Sequence, residues 1–276
     1  MTFVVSEMAG RAPEENGRQG LLRDRVVLIS GGTGGLGAGI ARAAAREGAI
    51  VAVTGRRREP GEALAAGLTA AGTKALFVQA DVADVAQARA SAAAAIAEFG
   101  RVDGLVNAAG LTSRGTLLDT TPELFDAHIA TNLKGPFFLM QAVVADLVAR
   151  KAPGAIVNII SSSEHGGQPY LAPYVAAKAG LAGLTRNAAH AHRWDKIRIN
   201  GLDIGWTDTE GEDVTQRRFH GGGDDWREKA GASLPMGKLG QVDEIADFVV
   251  FLLSDRSGVV TGSVIDWDQH VLGGMD

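Results

Sequence analysis

The sequence predicts an α/β fold in which about seven parallel strands form one sheet, with helices on both faces in a three-layer sandwich. Short apolar runs alternate with longer helical patterns along most of the 276 residues, an alternation typical of βαβ units. The first run, residues 26–29, is uninterrupted and ends in a glycine cluster. This is the pattern of a strand buried on both faces. At this length we expect one domain with a single large core.

The remaining elements follow in the same rhythm. Glycine tolerates positive φ, so Gly48 can stop the first helix, and the alanine-rich stretch 91–95 is a helix because Ile96 and Phe99 give it an apolar edge. Strands are predicted at 26–29, 50–54, 75–79, 102–106, 155–160, 197–203 and 263–266. Helices are predicted at 36–47, 60–71, 84–99, 122–150, 173–192 and 242–254.

Two segments break the rhythm. Residues 1–22 contain early glutamates and lack the basic start and long apolar stretch of a secretion signal, so we expect a disordered lead-in before a single domain at 23–276. Residues 208–235 are polar and include three consecutive glycines. A long insertion of this kind predicts a lid or a disordered loop over the substrate.

Composition excludes several function classes. The net charge of −5 argues against nucleic-acid binding, and no segment has the roughly 18 to 20 apolar residues of a membrane helix, so the cytoplasm is the expected location. The absence of cysteine removes disulfides, thiolate catalysis and Cys-ligated metals. His165 and His220 are isolated in the sequence, and we predict no metal site.

A glycine-rich turn, residues 30–37, lies between the first strand and its helix. Missing side chains allow the backbone to approach a pyrophosphate, and the helix start supplies amide donors and partial positive charge. A flexible turn is the alternative, but the position of the motif at the opening of a βαβ unit favours a dinucleotide-binding, Rossmann-type fold.

Tyr174 and Lys178 stand four residues apart in a helical stretch, so both side chains project from one face. A nearby cation favours the phenolate, which makes tyrosine a better acid/base at neutral pH. Ser161 follows the fifth strand and can donate a hydrogen bond to a substrate oxygen, although Ser162 and Ser163 could also face the pocket. A surface pair on a helix is the alternative for Tyr174 and Lys178.

From about residue 25 to 268 the chain resembles the short-chain dehydrogenase/reductase family. The spacing of Gly31, Gly35 and Gly37 is that of the family, and the other motifs occur in family order. These are Asp81, Asn107 to Gly110, Asn132 within Thr-Asn-Leu-Lys-Gly-Pro-Phe-Phe, Ser161, Tyr174 and Lys178. The family's Pro-Gly and Asp-Gly-Gly segments are here Ile204-Gly205 and Asp268-Gln269-His270.

The resemblance implies an oxidoreductase with a nicotinamide cofactor and assigns roles to residues. Tyr174 is the general acid/base, Lys178 assists it and holds the nicotinamide ribose, Ser161 contacts the substrate oxygen, and Asn132 holds a water of a proton relay. Asn107 is either structural or in contact with the cofactor. The expected cofactor-binding residues are Gly31, Thr33, Gly34, Gly35, Leu36, Gly55, Arg56, Asp81, Val82, Asn107, Ala108, Gly110, Tyr174, Lys178, Gly205, Thr207 and Thr209.

The cofactor form is read at the end of the second strand. An acidic residue there would bind the ribose hydroxyls of NAD, but the position is Gly55, followed by Arg56, Arg57 and Arg58. Related NADP-dependent enzymes place a cation at Arg56, so NADP(H) is favoured and NAD(H) stays open. A solvated basic loop is the alternative, and Gly34 replaces another family arginine in the glycine turn.

Substrate walls are expected from residues 164–170 and from the insertion after Trp206, with Ser163, His165, Tyr170 and Trp206 as contacts. Their polar and aromatic character suits a small polar carbonyl or secondary alcohol, such as a sugar or polyol. Two alternatives are a sugar-nucleotide epimerase or dehydratase and a dinucleotide-binding regulatory protein without turnover. The resemblance also implies a homotetramer or homodimer, joined through the helices at 122–150 and 173–192.

Overall fold

A computed structural model describes residues 20–272 and contains one parallel sheet. The seven strands are β1 (Val26–Ser30), β2 (Ile50–Gly55), β3 (Ala75–Gln79), β4 (Gly104–Asn107), β5 (Gly154–Ile159), β6 (Ile197–Ile204) and β7 (Val264–Trp267). Their order in the sheet is β3-β2-β1-β4-β5-β6-β7. The chain therefore reverses direction across the sheet between β1 and β4, where α/β sheets of this type bind ligands.

Helices cover both faces, which confirms the predicted three-layer Rossmann-type architecture. They are α1 (Gly35–Arg46), α2 (Arg58–Ala70), α3 (Val85–Phe99), α4 (Pro122–Ile129), α5 (Gly135–Arg150), α6 (Ala172–His192), α7 (Glu210–Phe219), α8 (Trp226–Ala232) and α9 (Val242–Leu253). No helix within residues 20–272 has the length and apolar character needed to cross a membrane.

The apolar core has one layer on each side of the sheet. Val27 and Ile29 pack with α1, α2 and α9 on one side, whereas Val26 and Leu28 pack with α3 and α5 on the other. Because side chains alternate along a strand, an unbroken apolar run is required when both faces are covered. The run that predicted β1 is therefore explained by its central position.

The start of the domain is earlier than predicted. Residues 1–19, the main part of the expected lead-in, lie outside the described residues, but Leu22 is almost fully buried in the core. Its backbone N–H donates to the carbonyl of Glu47 at 2.9 Å. The prediction of disorder is therefore wrong for residues 20–22, because Leu22 packs into the core layer that contains α1.

The helix predicted at 122–150 is interrupted by a π-helical turn. Thr121 caps α4 by accepting a hydrogen bond from Leu124 N, and Pro122 stands at the first position, where a missing N–H costs nothing. The π turn, Ala130–Lys134, then separates α4 from α5. Such turns widen the helix locally and are frequent at functional sites.

The polar insertion at 208–235 is helical rather than a disordered loop. It forms α7 and α8, and Trp226 anchors it with only 4% of its surface exposed. The indole N–H of Trp226 donates to Asp213 at 2.7 Å, and Arg227 contacts Asp208 and Asp213. Ion pairs and one buried indole thus replace the apolar periodicity that the sequence lacks.

Candidate active site

A cleft of about 1340 Å³ opens along the carboxyl ends of the strands. Its walls come from the glycine turn, the ends of β2 to β6, the start of α6 and the insertion. Every predicted cofactor residue except Asn107 lines this cleft. Residues that are up to 178 positions apart in the sequence therefore meet at one site.

Asn107 belongs to the sheet interior. Its side-chain N–H donates to Asn158 Oδ1 at 2.8 Å, and Asn158 in turn donates to Thr185 Oγ1 at 2.8 Å. This buried network ties β4 and β5 to α6. Of the two roles proposed for Asn107, these contacts support the structural one; Asn107 does not line the cleft, and its contact with the cofactor stays a prediction.

The glycine turn has the shape of a phosphate cradle. Gly31 has a φ of +72°, and a Cβ there would lie 2.6 Å from the backbone nitrogen of Ala109, so only glycine fits. At Gly35 a Cβ would project into the cleft and meet nothing nearer than Thr209 at 3.9 Å. Helix α1 begins here without a side-chain cap, which leaves first-turn N–H groups for an anion. These residues fit the pyrophosphate of a dinucleotide.

A second arginine, Arg57, reaches the glycine turn. Its guanidinium donates to the carbonyl of Thr33 at 3.0 Å, and a Cβ on Gly34 would collide with it. Arg56 and Arg57 both line the cleft beside Gly55. The missing family arginine at position 34 is thus replaced in space by a guanidinium from the end of β2.

Tyr174, Lys178 and Ser161 meet in the same cleft. Lys178 is one helical turn from Tyr174, its ammonium lies 5.6 Å from the centre of the Tyr174 ring, and it donates to the carbonyl of Ile159 at 2.7 Å. Both side chains are buried, whereas Ser161 is half-buried at the end of β5. The alternative of a surface pair on a helix is therefore wrong.

Burial dominates the protonation of the two groups. It raises the pKa of Tyr174 to about 12, while a hydrogen bond with Ser161 acts in the opposite direction. Burial also lowers the pKa of Lys178 to about 8, and the charge of Asp203 works against that fall. The phenol therefore stays protonated at neutral pH, and it can act as a base only when additional positive charge nearby lowers its pKa.

Asn132 lies in the π turn behind the cleft and is fully buried. Its amide donates to the carbonyl of Leu111 at 3.0 Å and accepts from the Leu111 N–H at 2.9 Å. The amide is also 3.2 Å from Nδ1 of His128, whose ring meets Tyr174 edge-on at 6.1 Å. Asn132 clamps the loop after β4 against the helix that carries it, and its role in a proton relay stays a prediction.

The loop after β5 orders the serines. Ser161 Oγ donates to Ser163 Oγ at 3.1 Å, and Ser163 Oγ donates to Gln168 Oε1 at 2.7 Å. Ser161 also caps a short 3₁₀ turn, Ser162–His165, by accepting from Ser163 N at 3.3 Å. Ser161 and Ser163 are therefore coupled, and Ser163 lines the cleft as predicted.

His165 does not line the cleft, contrary to the prediction that it contacts substrate. Its Nε2 lies 3.0 Å from Asp203 and 3.5 Å from Asp266, and its Nδ1 is 3.8 Å from Glu164. Asp203 is 1% exposed, and burial raises its pKa to about 7.

This group also corrects the view of His165 as isolated from other metal-ligand types. Glu164, His165 and Asp203 offer ligand atoms within 4.8 Å of one another. Arg186 lies 3.8 Å from Glu164, so cationic side chains already face these carboxylates. We interpret the group as an ion-pair cluster, and the absence of a metal site stays a prediction.

The substrate end of the cleft is aromatic and polar. Tyr170 and Trp206 line it as predicted. Trp206 stacks on Trp226 with ring centres 6.4 Å apart, and its indole N–H donates to Glu212 at 2.7 Å. The insertion is therefore held over the cleft through two tryptophans.

Comparison with known proteins agrees with this geometry. Residues 31–271 match a family model described as Enoyl-(Acyl carrier protein) reductase. The chain belongs to the short-chain dehydrogenase/reductase family. It is 34% identical to a 3-oxoacyl-[acyl-carrier-protein] reductase, FabG, of Staphylococcus aureus over 90% of this chain and 96% of that one. It is 35% identical to an L-rhamnose 1-dehydrogenase (NAD(P)(+)) of Azotobacter vinelandii over 88% and 94%. A solved Sinorhizobium meliloti structure, described as a short-chain alcohol dehydrogenase, has a TM-score of 0.83 at 33% identity and covers 92% of this chain and 98% of that one.

Four residues in or beside the candidate site of this short-chain dehydrogenase/reductase were not singled out from the sequence. His128 and Arg114 gave no signal, because each is a lone polar residue outside a motif. Arg57 was noted only as part of a basic run. Asp203 stands inside an apolar strand pattern, and a charged residue at a buried strand position is a signal that could have been used.

Proposed function

We propose that this NAD(P)-dependent oxidoreductase interconverts a small polar carbonyl compound and its secondary alcohol, with Tyr174 as general acid/base and a preference for NADP(H). One observation carries the proposal: the Tyr174 phenol, the Lys178 ammonium and the Ser161 hydroxyl share one cleft with a glycine turn that fits a pyrophosphate. A bound nicotinamide would supply or accept the hydride.

Each residue has a distinct part in the proton chemistry. In the reductive direction the Tyr174 O–H gives its proton to the substrate oxygen, and in the oxidative direction the phenolate takes it back. Ser161 donates a hydrogen bond to the same oxygen, where negative charge develops. Protonated Lys178 favours the phenolate through its charge, and Asn132 keeps the loop after β4 in place.

Replacement of Tyr174 by phenylalanine tests this assignment. The change removes the proton donor and keeps the ring, so we expect turnover to fall at least about 100-fold with NADPH binding within about threefold of wild type. Tyr170→Phe, the only other tyrosine position, should alter KM more than kcat. Unchanged turnover in the Tyr174 variant would overturn the proposal.

The same assay separates the two alternatives. A sugar-nucleotide epimerase or dehydratase would convert substrate without net change in nicotinamide absorbance. A regulatory protein would bind the dinucleotide and retain its function in the Tyr174→Phe variant. Stoichiometric oxidation of NADPH that depends on Tyr174 is expected only of the proposed oxidoreductase.

The preference for NADP(H) is supported by two guanidinium groups that line the cleft beside the end of β2, where the sequence has Gly55 in place of an acidic residue. Arg56 and Arg57 are available to a 2′-phosphate, and Arg57 is already oriented by Thr33. A charged hydrogen bond contributes about 1.5–3 kcal/mol, so Arg57→Ala or Arg56→Ala should weaken NADPH binding about 10- to 100-fold and NADH binding little. Arg58→Ala is the control, since Arg58 pairs with Glu62. Tighter binding of NADH than NADPH by the wild type would contradict the preference.

A small polar substrate, such as a sugar or polyol, is supported by Ser163, Gln168, Tyr170 and Trp206 around the cleft, and by the relative that acts on L-rhamnose. The other relative, a 3-oxoacyl-carrier reductase, makes an acyl thioester the competing class. Initial rates on aldoses, polyols and a 3-oxoacyl thioester distinguish the classes. Exclusive activity on the thioester would refute the polar assignment.

We further propose a cytoplasmic homotetramer or homodimer without nucleic-acid or membrane partners. Apolar side chains stand partly exposed on α4 and α5, namely Phe125, Phe137 and Val148, and these helices are the expected contact surface. Light scattering of the purified protein tests the assembly, and Phe137→Glu should dissociate it. A monomer at micromolar concentration would overturn this part.

A further inference from the structure

Arg114 is a cation without a carboxylate partner at the substrate end of the cleft. Within residues 20–272, no carboxylate oxygen lies within 4.0 Å of its guanidinium, and its Nε is buried without a hydrogen-bond partner. Glu212 also lines the cleft but forms no ion pair with Arg114 among these residues; its Oε1 accepts from Trp206 and Gln216 at 2.7 Å each. Arg114 lines the cleft together with Tyr170 and His220.

The guanidinium is nevertheless held in one position. Its Cζ lies 5.1 Å from the centre of the Tyr170 ring and 5.5 Å from that of Phe219. One nitrogen donates to the carbonyl of Thr112 at 3.0 Å, and another lies 3.1 Å from Nε2 of His220. Two aromatic rings, a backbone carbonyl and an imidazole nitrogen orient this guanidinium, and no carboxylate of the described residues pairs with it. A partly buried cation in that state favours an anionic ligand.

The location connects this cation to the reacting centre. Arg114 lines the same cleft as Tyr174, and its positive charge acts to lower the pKa of Tyr174, although burial raises that pKa overall. A planar guanidinium binds carboxylates with two parallel hydrogen bonds. A substrate held by Tyr174 at its carbonyl oxygen would thus place a neighbouring acidic group near Arg114.

We infer that the substrate is an oxo acid or hydroxy acid whose carboxylate is bound by Arg114. This inference rests on the proposed oxidoreductase function and names the substrate class. Tyr170, in the loop before α6, and Phe219, at the end of α7, both contact the guanidinium. Binding of the carboxylate would therefore also tie α7 to the rest of the domain. Polar groups elsewhere in the cleft serve the rest of the molecule.

Matched pairs of acid and neutral substrates test the inference. We would measure kcat/KM with acetoacetate against methyl acetoacetate and with galacturonate against galactose. Arg114→Met keeps the length of the side chain and removes the charge. We expect kcat/KM for the acid of each active pair to fall about 10- to 100-fold, with the neutral partner within about threefold of wild type. Arg114→Lys should lie between the two.

Arg218 provides the matched control. Its Cζ also lies over the Phe219 ring, at 5.1 Å, but the side chain is on the exposed side of α7. Arg218→Met should leave both members of each pair unchanged. If Arg114→Met lowers activity on acid and neutral substrates equally, or if the wild type prefers the neutral members, the carboxylate assignment is wrong.

A binding measurement separates this inference from the proposed reaction. With the enzyme saturated by NADP⁺, succinate is titrated and the fluorescence of the nearby tryptophans is followed. Saturable binding that weakens at least about tenfold in Arg114→Met supports the site even if no panel member is turned over, which would count against the oxidoreductase assignment alone. Turnover of neutral alcohols without Arg114-dependent binding of succinate would overturn the site and leave the reaction in place.

Discussion

Replacement of Asp203 by asparagine should stabilise the protein at alkaline pH. Asp203 lies near the end of β6 with 1% of its surface exposed, and neither of its carboxylate oxygens has a hydrogen bond of good geometry to any described residue. The charged groups that face it are His165 and Glu164 from the 3₁₀ turn, Asp266 and Asp268 from the end of β7, and Lys178 from α6. Burial is the largest influence, and it disfavours the ionised form.

The magnitude follows from the pKa of Asp203, which rises from 3.8 to about 7. At about 1.36 kcal/mol per pKa unit, this corresponds to about 4 kcal/mol of lost stability when the group is ionised in the folded state. Below about pH 4 both states hold the proton, and the cost is absent. Between about pH 4 and 7 only the unfolded state loses its proton, so stability falls as pH rises. The full cost is present above about pH 7.

Asparagine removes the charge and keeps the shape. We therefore expect Asp203→Asn to unfold with a free energy about 2–4 kcal/mol higher than wild type at pH 8, and with a much smaller difference near pH 4. Urea unfolding at a series of pH values measures this. Asp266→Asn, which neutralises an exposed neighbour, should change stability by less than about 1 kcal/mol. A variant less stable than wild type at pH 8, or a difference independent of pH, would show that the pair with His165 outweighs the burial cost.

Three further predictions concern the catalytic helix, the clamp and the lid. The rate of alcohol oxidation should rise from pH 6 to about 8, because Tyr174 must lose its proton and its pKa is raised to about 12. The rate should then level off, because Lys178, with a pKa of about 8, loses the charge that favours the phenolate. A kcat that does not change with pH would contradict this prediction. Asn132→Ala should destabilise the protein by about 2–3 kcal/mol in urea, because the N–H and C=O of Leu111 lose their partners, and wild-type stability would remove the clamp role. Trp226→Ala should lower the free energy of unfolding by about 3–5 kcal/mol, measured by calorimetry. Trp194→Ala is the control and should change it very little, because Trp194 is 83% exposed. Equal losses in the two variants would show that Trp226 does not anchor α7 and α8.

Much of the site could be predicted because its parts depend on sequence patterns that span only a few residues. The four-residue spacing of Tyr174 and Lys178 and the position of the glycine turn after β1 follow from helix and strand periods. Both were placed correctly from sequence, and both line the cleft. The π turn at Ala130–Lys134 was not predicted, although Pro136 just after it lacks the N–H that a regular helix would bond to the carbonyl of Asn132.

By itself, the sequence determined the order of strands and helices, the two-sided burial of the sheet and the family motifs, because each depends on side-chain periodicity over a few residues. The tertiary structure alone decided that Arg57 contacts Gly34 and that His165 lies beside Asp203 while Ser163 lines the cleft. It also decided that Arg114, beside α7, has no carboxylate partner among the described residues. These contacts are between residues far apart in the chain. Their energies depend on burial and on distances between charges in the folded structure, which a local sequence pattern does not predict.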